Sequence, residues 1–446
     1  MGHLHGVDGP PRFALKAGAS IGLSLLFVLV YSGTNWLTSL RSDVGVWRYE
    51  WERWIPFLPW MVLPYMSIDL FFVAAPFLMR ERRELVVFAQ RVALAILVAS
   101  AFFLAMPLKL AVERPKLEGW IGLAFGWFFA MDQPYNLFPS LHIALRTLLS
   151  DSYARHTRGL VHVSAQLWFS LIGFSTLLTY QHHVVDVLGG FVLAIGCFYL
   201  VPLLRHREPV TPNPRVGVYY FAPAATAAGL AAFGSAAWTL LLWPAASCAL
   251  VAMAYFGVGP GIYRKSGGRL LWSTRLVLAP VLAGQRLSLW HYRRQCRAWD
   301  EACPGVWIGR VLGEAEARKA VAAGVTAVLD LTAEFSEAAA FRSCDYLNVP
   351  ILDLTAPTDE QLDRAVAFIR DRAARGVVYV HCKIGYSRSA AVVAAYLADQ
   401  ALAESAEQCI AQLRAVRPTI VIRAEAEAAI RKYYERHARL HADVQS

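Results

Sequence analysis

Within the stretch VVYVHCKIGYSRSAAVVAAYL, His381 and Cys382 are followed after five residues by Arg388 and Ser389. A strand-like run, 377–380, enters this segment and an Ala-rich helical run, 389–400, leaves it. The backbone amides of Lys383, Ile384, Gly385, Tyr386, Ser387 and Arg388 can therefore converge on one anion, with a helix N-terminus adding positive potential. That field favours a thiolate at Cys382. Arg388 offers a planar fork for two phosphate oxygens, Gly385 lets the loop close on the ligand, and Ser389 can hydrogen-bond the sulfur as it leaves phosphocysteine. The leaving oxygen needs a proton. Asp353, after the strand-like Val349-Pro350-Ile351-Leu352, is the expected donor, with Asp330, Asp345 and Asp359 as rivals.

A second, chemically unrelated set lies earlier, in three fragments: Lys109-x4-Arg114-Pro115, Pro139-Ser140-Leu141-His142 and His182-His183-Val184-Val185-Asp186. His182 is the expected nucleophile, and Asp186, one helical turn on, can hold its tautomer. His142 can protonate a leaving oxygen, while Lys109, Arg114 and the Ser140 hydroxyl neutralise phosphate. The implied intermediate is a phosphohistidine. His183 reads as a bystander, and Asp69 is a further ionisable residue inside an apolar run.

The elements that must position these groups are of two kinds. The chain has 446 residues, 57% of them hydrophobic, with 14 Trp. Its long apolar runs fill the first 260 residues, too apolar for a wholly soluble protein. Runs near 17–40, 55–79, 85–106, 160–181 and 183–204, a shorter one at 139–152 and a double block at 216–258 predict eight spans. The first is too long for a signal-peptide core and reads as a retained span. Gly6 where Ser or Thr is needed argues against myristoylation of Gly2.

The net charge of +10 is concentrated in clusters at the ends of apolar runs, which speaks for anionic lipid and against nucleic acid. Arg12 and Lys16, 80–83, 155–158, 205–207 and 264–265 fall in alternate connections, all expected on the cytoplasmic side. The loops 41–54 and 107–138 and the turn after Tyr180 then face outward. Seven Cys form no CxxC pair and no metal-ligand spacing, so neither a disulfide framework nor a zinc site is expected, and no cofactor. A basic, Trp-containing stretch over 264–297 reads as an interfacial amphipathic linker, with a linker helix packed on the globular C-terminal domain as the alternative. From about 304, short apolar strands (306–308, 325–331, 346–351, 377–380) alternate with helical stretches (313–324, 358–373, 389–400, 405–415), the rhythm of an α/β domain.

With its HCxxxxxRS loop, Trp307-Ile308-Gly309, Gly324-Val325 and Arg417-Pro418 in order, 304–440 resembles a dual-specificity phosphatase. The loop and ILDLTAPTDEQLDRAVAFI are most similar to the phosphatidylglycerophosphate phosphatase branch. That resemblance implies a lipid-headgroup phosphate as substrate. PSLH and HHVVDV, within 20–205, resemble the type 2 phosphatidic acid phosphatase superfamily, closest to its inositol phosphorylceramide synthase-like branch. That resemblance implies a six-helix core and hydrolysis or transfer of a lipid phosphate ester.

The expected architecture is an all-α polytopic membrane domain (17–205), two further spans (216–260), a basic linker (261–300) and an α/β cysteine-phosphatase domain (304–440). Expected partners are phospholipid substrates and the bilayer, with no nucleic acid. By analogy of architecture the setting is a bacterial inner membrane. One alternative makes the membrane domain a lipid sensor that regulates a cytosolic protein phosphatase. Another directs the cysteine site at phosphotyrosine.

Overall fold

The structure, a computed structural model, describes residues 10–112, 115, 118–120, 122, 125, 126, 134–202, 208–233 and 236–445. The chain divides into two compact units, Met1–Leu204 and Arg205–Ser446.

The N-terminal unit is helical: α1 (Phe13–Ser39), α2 (Val62–Leu78), α3 (Arg82–Ala105), α4 (Leu141–His156), α5 (Gly159–Leu178) and α6 (Val184–Leu200). Helix α4 is the centre, touching α2, α3, α5 and α6. Because it packs against four other helices, it tolerates Arg146, Ser150, Asp151 and Ser152 along its 16 residues. Helix α1 is its opposite, 27 residues long with Ile21, Val28 and Leu29 all more than half exposed. Over the described residues of the whole chain, six helices are long and apolar enough to cross a membrane. The sequence predicted eight spans; the two that fall short are α4 and the 17-residue α6.

Gly190 sets the closest approach in this unit. A Cβ there would lie 2.4 Å from the Ser140 carbonyl oxygen and 2.8 Å from Ile143 Cβ, so only glycine lets α6 seat against the start of α4. The Ser140 amide then donates to the Asp186 carbonyl at 2.9 Å, joining the two motif-bearing helix ends.

The C-terminal unit opens with an apolar helix pair, α7 (Pro214–Phe233) and α8 (Leu242–Met253), followed by a two-stranded ribbon, β1 (Lys265–Ser266) and β2 (Arg269–Leu270). Two short helices come next, α9 (Trp272–Val277) and α10 (Ala279–Tyr292). Helix α10 buries Val281, Leu282 and Gln285 while Leu287 and Trp290 stay exposed, so the basic linker is packed on its own unit along one face.

The sheet has the order β3 (Trp299–Cys303), β4 (Val306–Arg310), β7 (Val377–Cys382), β5 (Val325–Thr332), β6 (Asp345–Ile351), with only β3 antiparallel. Its remaining helices are α11 (Glu314–Ala322), α12 (Asp359–Ala373), α13 (Arg388–Asp399), α14 (Ala406–Val416) and α15 (Ala424–Gln445). Strand β7 is central and buried, hence its unbroken run of Val and Tyr. Helix α13 is buried on every side, and its five alanines allow close approach to α12, α14 and α15. Strand β3 and helix α15 go beyond the elements read from the sequence; β3, as WDEAC, carries no apolar alternation.

Candidate active sites

The sulfur of Cys382 ends β7, and Ser389 opens α13 with its Oγ 3.4 Å from that sulfur. Between them the loop is turned inside out by its surroundings. The carbonyl of Lys383 accepts from the Val311 amide (3.2 Å), that of Tyr386 from the Val421 amide (3.0 Å), and those of Ile384 and Gly385 from the guanidinium of Arg417 (3.2 and 3.0 Å). With four consecutive carbonyls tied outward, the loop's amide side faces the cysteine, the geometry an anion needs. Arg417 is itself buried and anchored by Asp300 at 2.6 Å. Gly385 has φ +73°, and a Cβ there would come within 2.6 Å of the Gly309 carbonyl oxygen.

Arg388 is fully buried and held as a fork by Glu334, with Nη2 donating to Oε1 at 2.8 Å and Nη1 to Oε2 at 3.2 Å; Nη1 also donates to the Ile351 carbonyl. Its Nε has no partner, and its Nη2 lies 3.2 Å from Asp353 Oδ1. Nε is thus open to a phosphate, whereas Nη2, already on Glu334, takes one up by releasing Asp353. Asp353 also lies 3.5 Å from the Lys383 ammonium. Burial works against the Asp353 charge, but Arg388 and Lys383 outweigh it and hold the carboxyl below its ordinary range. Burial likewise pushes the Cys382 thiol up, and the Arg388 charge with the Ser389 hydrogen bonds brings it below the usual value.

Of the three rivals to Asp353, Asp330 is fully buried beneath the loop. It is paired with Lys265, accepts from Tyr346 Oη at 2.7 Å and lies 3.8 Å from His381 Nε2. Burial opposes its charge, yet Lys265 and His381 hold its carboxyl down at about 2. Asp330, Glu337 and His381 bring three ligand-type atoms within 4.8 Å of one another, but the Lys265 ammonium already supplies the positive charge there. Asp345 is salt-bridged to Arg372 and Asp359 to Lys432, both away from the loop. Glu334 escapes a reading of the sequence because a lone Glu after a strand carries no local signal; only the fold aims it at Arg388.

In the N-terminal unit His142 and His182 line one cavity of about 550 Å³, together with Tyr65, Asp69 and Asn136. His142 stacks on Tyr65 with ring centroids 4.2 Å apart and its Nε2 unpartnered. His182 Nδ1 stands 3.6 Å from Asp186 Oδ2, longer than a hydrogen bond, while that same Oδ2 caps α6 by accepting from the His183 amide at 2.8 Å. His183 is fully engaged: Nδ1 meets Glu52 Oε2 at 3.0 Å and Nε2 accepts from the Ala111 amide at 3.2 Å. With both ring nitrogens occupied, His183 is the anchored member of the pair and His182 the one open to a ligand.

Ser140 is fully buried and caps α4 by accepting from the Ile143 amide, and it is not among the residues lining that cavity. Lys109 is exposed and lines neither this cavity nor the smaller one beside it, while the Ala111 amide two residues on reaches His183. Arg114 lies outside the described residues. The smaller cavity, about 190 Å³, shares His182 and places Arg48 and Arg53 at its wall. These two arginines come from an exposed loop that no motif marks.

The fold and the loop define a class, the cysteine-dependent phosphoric monoester hydrolases, and residues 310–436 match the family model of the dual specificity phosphatase catalytic domain. Two curated proteins are similar over the same region. Dual specificity protein phosphatase 12 of Mus musculus is 41% identical over 125 residues, 26% of this chain and 36% of that protein. Phosphatidylglycerophosphate phosphatase PTPMT1 of Arabidopsis thaliana is 29% identical over 145 residues, 31% of this chain and 43% of that protein. The chain therefore spans a third to under a half of the length of these relatives. A crystal structure of PTPMT1 aligns over 32% of this chain and 99% of its own, at 26% identity and a TM-score of 0.29.

Proposed function

We propose that the chain is an integral membrane enzyme with two phosphate-ester sites. In the C-terminal unit Cys382 attacks the phosphorus of a phospholipid headgroup monoester, the P–O bond to the headgroup breaks, and Asp353 delivers its proton to the departing alkoxide. Water then attacks phosphocysteine, Asp353 takes a proton from it, and the Ser389 hydroxyl stabilises the leaving thiolate. Arg388 carries the equatorial charge throughout. The single observation behind this reading is the arrangement of Cys382, Arg388 and Asp353, in which the Arg388 Nε is unpartnered and its Nη2 holds the Asp353 carboxylate that a phosphate would displace. Because Asp353 rests as a carboxylate against Arg388, an incoming phosphate dianion displaces it, and the lost cationic contact raises its affinity for the proton it must give.

A lipid headgroup, phosphatidylglycerophosphate or a phosphatidylinositol phosphate, is favoured by the similarity to PTPMT1 and by the apolar helices α7 and α8 within the same unit. In the N-terminal unit His182 is the nucleophile of a phosphatidic acid phosphatase-like site that cleaves or transfers a lipid phosphate ester, with His142 as proton donor and Asp186 as orienting carboxylate. The shared cavity of His142 and His182 supports this over a passive lipid sensor. The alternating basic connectors support an outward-facing histidine site and a cytoplasmic cysteine site, as in a bacterial inner membrane.

The test compares wild type, Cys382→Ser and His182→Ala on phosphatidylglycerophosphate, phosphatidylinositol phosphate, phosphatidate and a phosphotyrosine peptide. Separate losses on separate lipids support the two-site reading. A cysteine site that prefers the peptide overturns the lipid assignment.

A further inference from the structure

Two tyrosines from the apolar helix pair lie against the phosphatase loops. Tyr255, just past α8, donates its hydroxyl to the main-chain carbonyl of Asp353 at 2.9 Å. Its ring stacks on that of Tyr220 from α7, with centroids 5.7 Å apart and planes 10° from parallel. The Tyr220 hydroxyl accepts from Gln285 Nε2 at 2.9 Å, and Gln285 Oε1 accepts from the Lys383 ammonium at 2.8 Å. One short chain of contacts thus joins the acid loop, both apolar helices and the anion loop.

A second tie acts on the next residue. Asn213 caps α7 through Oδ1, which accepts from the Val216 amide, and its Nδ2 donates to the Leu354 carbonyl at 2.8 Å. Leu354 has φ +61°, a strained backbone for a branched residue, so the acid loop is held in a shape it would not adopt unaided. Leu352 and Ala333, the neighbours of Asp353 and Glu334, are buried in the same apolar cluster as Val216, Val251, Tyr255 and Leu282.

We infer that the apolar pair α7–α8 is a working part of the cysteine site: Tyr255 and Asn213 are positioning residues for the proton donor Asp353, and Tyr220, through Gln285, positions Lys383. This rests on the assignment of Asp353 as general acid. It also deepens the lipid reading. Tyr220 lies six residues into α7, about 9 Å along its axis, and Tyr255 lies three residues before the end of Trp238–Val258, the apolar segment that contains α8, so the catalytic loops sit near the ends of two segments that are apolar enough to cross a membrane. The substrate is then a phosphomonoester carried on a lipid and presented at the bilayer surface.

The readout is leaving-group dependence in the full-length protein. An alkoxide needs the Asp353 proton to depart, whereas p-nitrophenolate does not. Tyr255→Phe keeps the stacked ring and removes only the hydroxyl. We expect the ratio of kcat on phosphatidylglycerophosphate in detergent micelles to kcat on p-nitrophenyl phosphate to fall about tenfold, part of the 10²–10⁴ attributed to a positioned acid, with KM for the aryl ester unchanged. Asp353→Asn, measured alongside, should show the same selective loss, larger. If Asp353→Asn is selective and Tyr255→Phe lowers both esters equally or neither, the positioning role is wrong. If Asp353→Asn itself lowers both equally, the acid assignment falls and the inference falls with it.

Discussion

In the C-terminal unit nine consecutive residues, 381–389, supply the proposed nucleophile, anion cradle, guanidinium and leaving-group hydroxyl, and the surrounding fold ties the loop by hydrogen bonds to main chain and to buried partners. In the N-terminal unit the proposed reactive groups come from the ends of separate helices, and the two central imidazoles keep unpartnered nitrogens on an open cavity. Both proposed sites keep buried atoms without a partner, the Arg388 Nε in one and the His142 Nε2 and His182 Nδ1 in the other; what differs is how the groups are brought together. A contiguous loop already carries its groups in one segment, and distant partners such as Arg417 and Glu334 only fix their orientation. A dispersed site depends on close helix packing, as at Gly190, to bring its parts together.

That contrast can be broken most sharply at the nucleophiles. Cys382→Ser should lower hydrolysis by the C-terminal site about 10⁴-fold or more, since no neighbouring group can replace the thiolate. Activity attributable to His182 should stay within twofold in the same preparation, as steady-state assays on separate lipids would show. In the N-terminal unit His182→Gln should abolish turnover. His183→Gln, which can still bridge Glu52 and the Ala111 amide, should cost only about tenfold, a comparison that reads directly which histidine is open.

Next in size is Asp353→Asn, with an expected loss in kcat of about 10²–10³ on alkyl phosphates. Its pH profile carries the sign. Activity rises with pH as Cys382 loses its proton, early because that thiol sits below its usual value, and falls again as Asp353 in the complex loses the proton it must donate. The falling limb should vanish in Asp353→Asn while the rising limb stays.

The smallest expected effect concerns stability. The Asp330 carboxyl is depressed to about 2, so its contribution is present above the unfolded value near 4 and lost as pH falls through about 2. Asp330→Asn should destabilise the unit by about 3 kcal/mol at neutral pH, because Lys265 is left buried and unpaired, and should flatten the acid limb of a pH-stability curve.

Legibility in the sequence divides along the same line. The strand-loop-helix at 377–399 is legible because its signals are local: an apolar β-branched run, a fixed Cys-to-Arg spacing and an Ala-rich helix. Glu334 and the tyrosines 220 and 255 are not, since their roles arise from contacts across more than 50 residues of chain. The polar helix α4 reads weakly as a span because its neighbours, rather than lipid, satisfy Arg146 and Asp151. Ser140 illustrates a different limit. Its type and place suggest a phosphate contact, but a Ser before a helix is equally an N-cap, and the structure uses it as one.

The most direct measurement is rapid acid and base quench of the full-length protein mixed with lipids labelled in the phosphate. The account predicts two phosphoenzymes in wild type, an acid-labile phosphohistidine lost only in His182→Ala and a phosphocysteine lost only in Cys382→Ser. A single labelled species that disappears in Cys382→Ser, with no label ever dependent on His182, would contradict it.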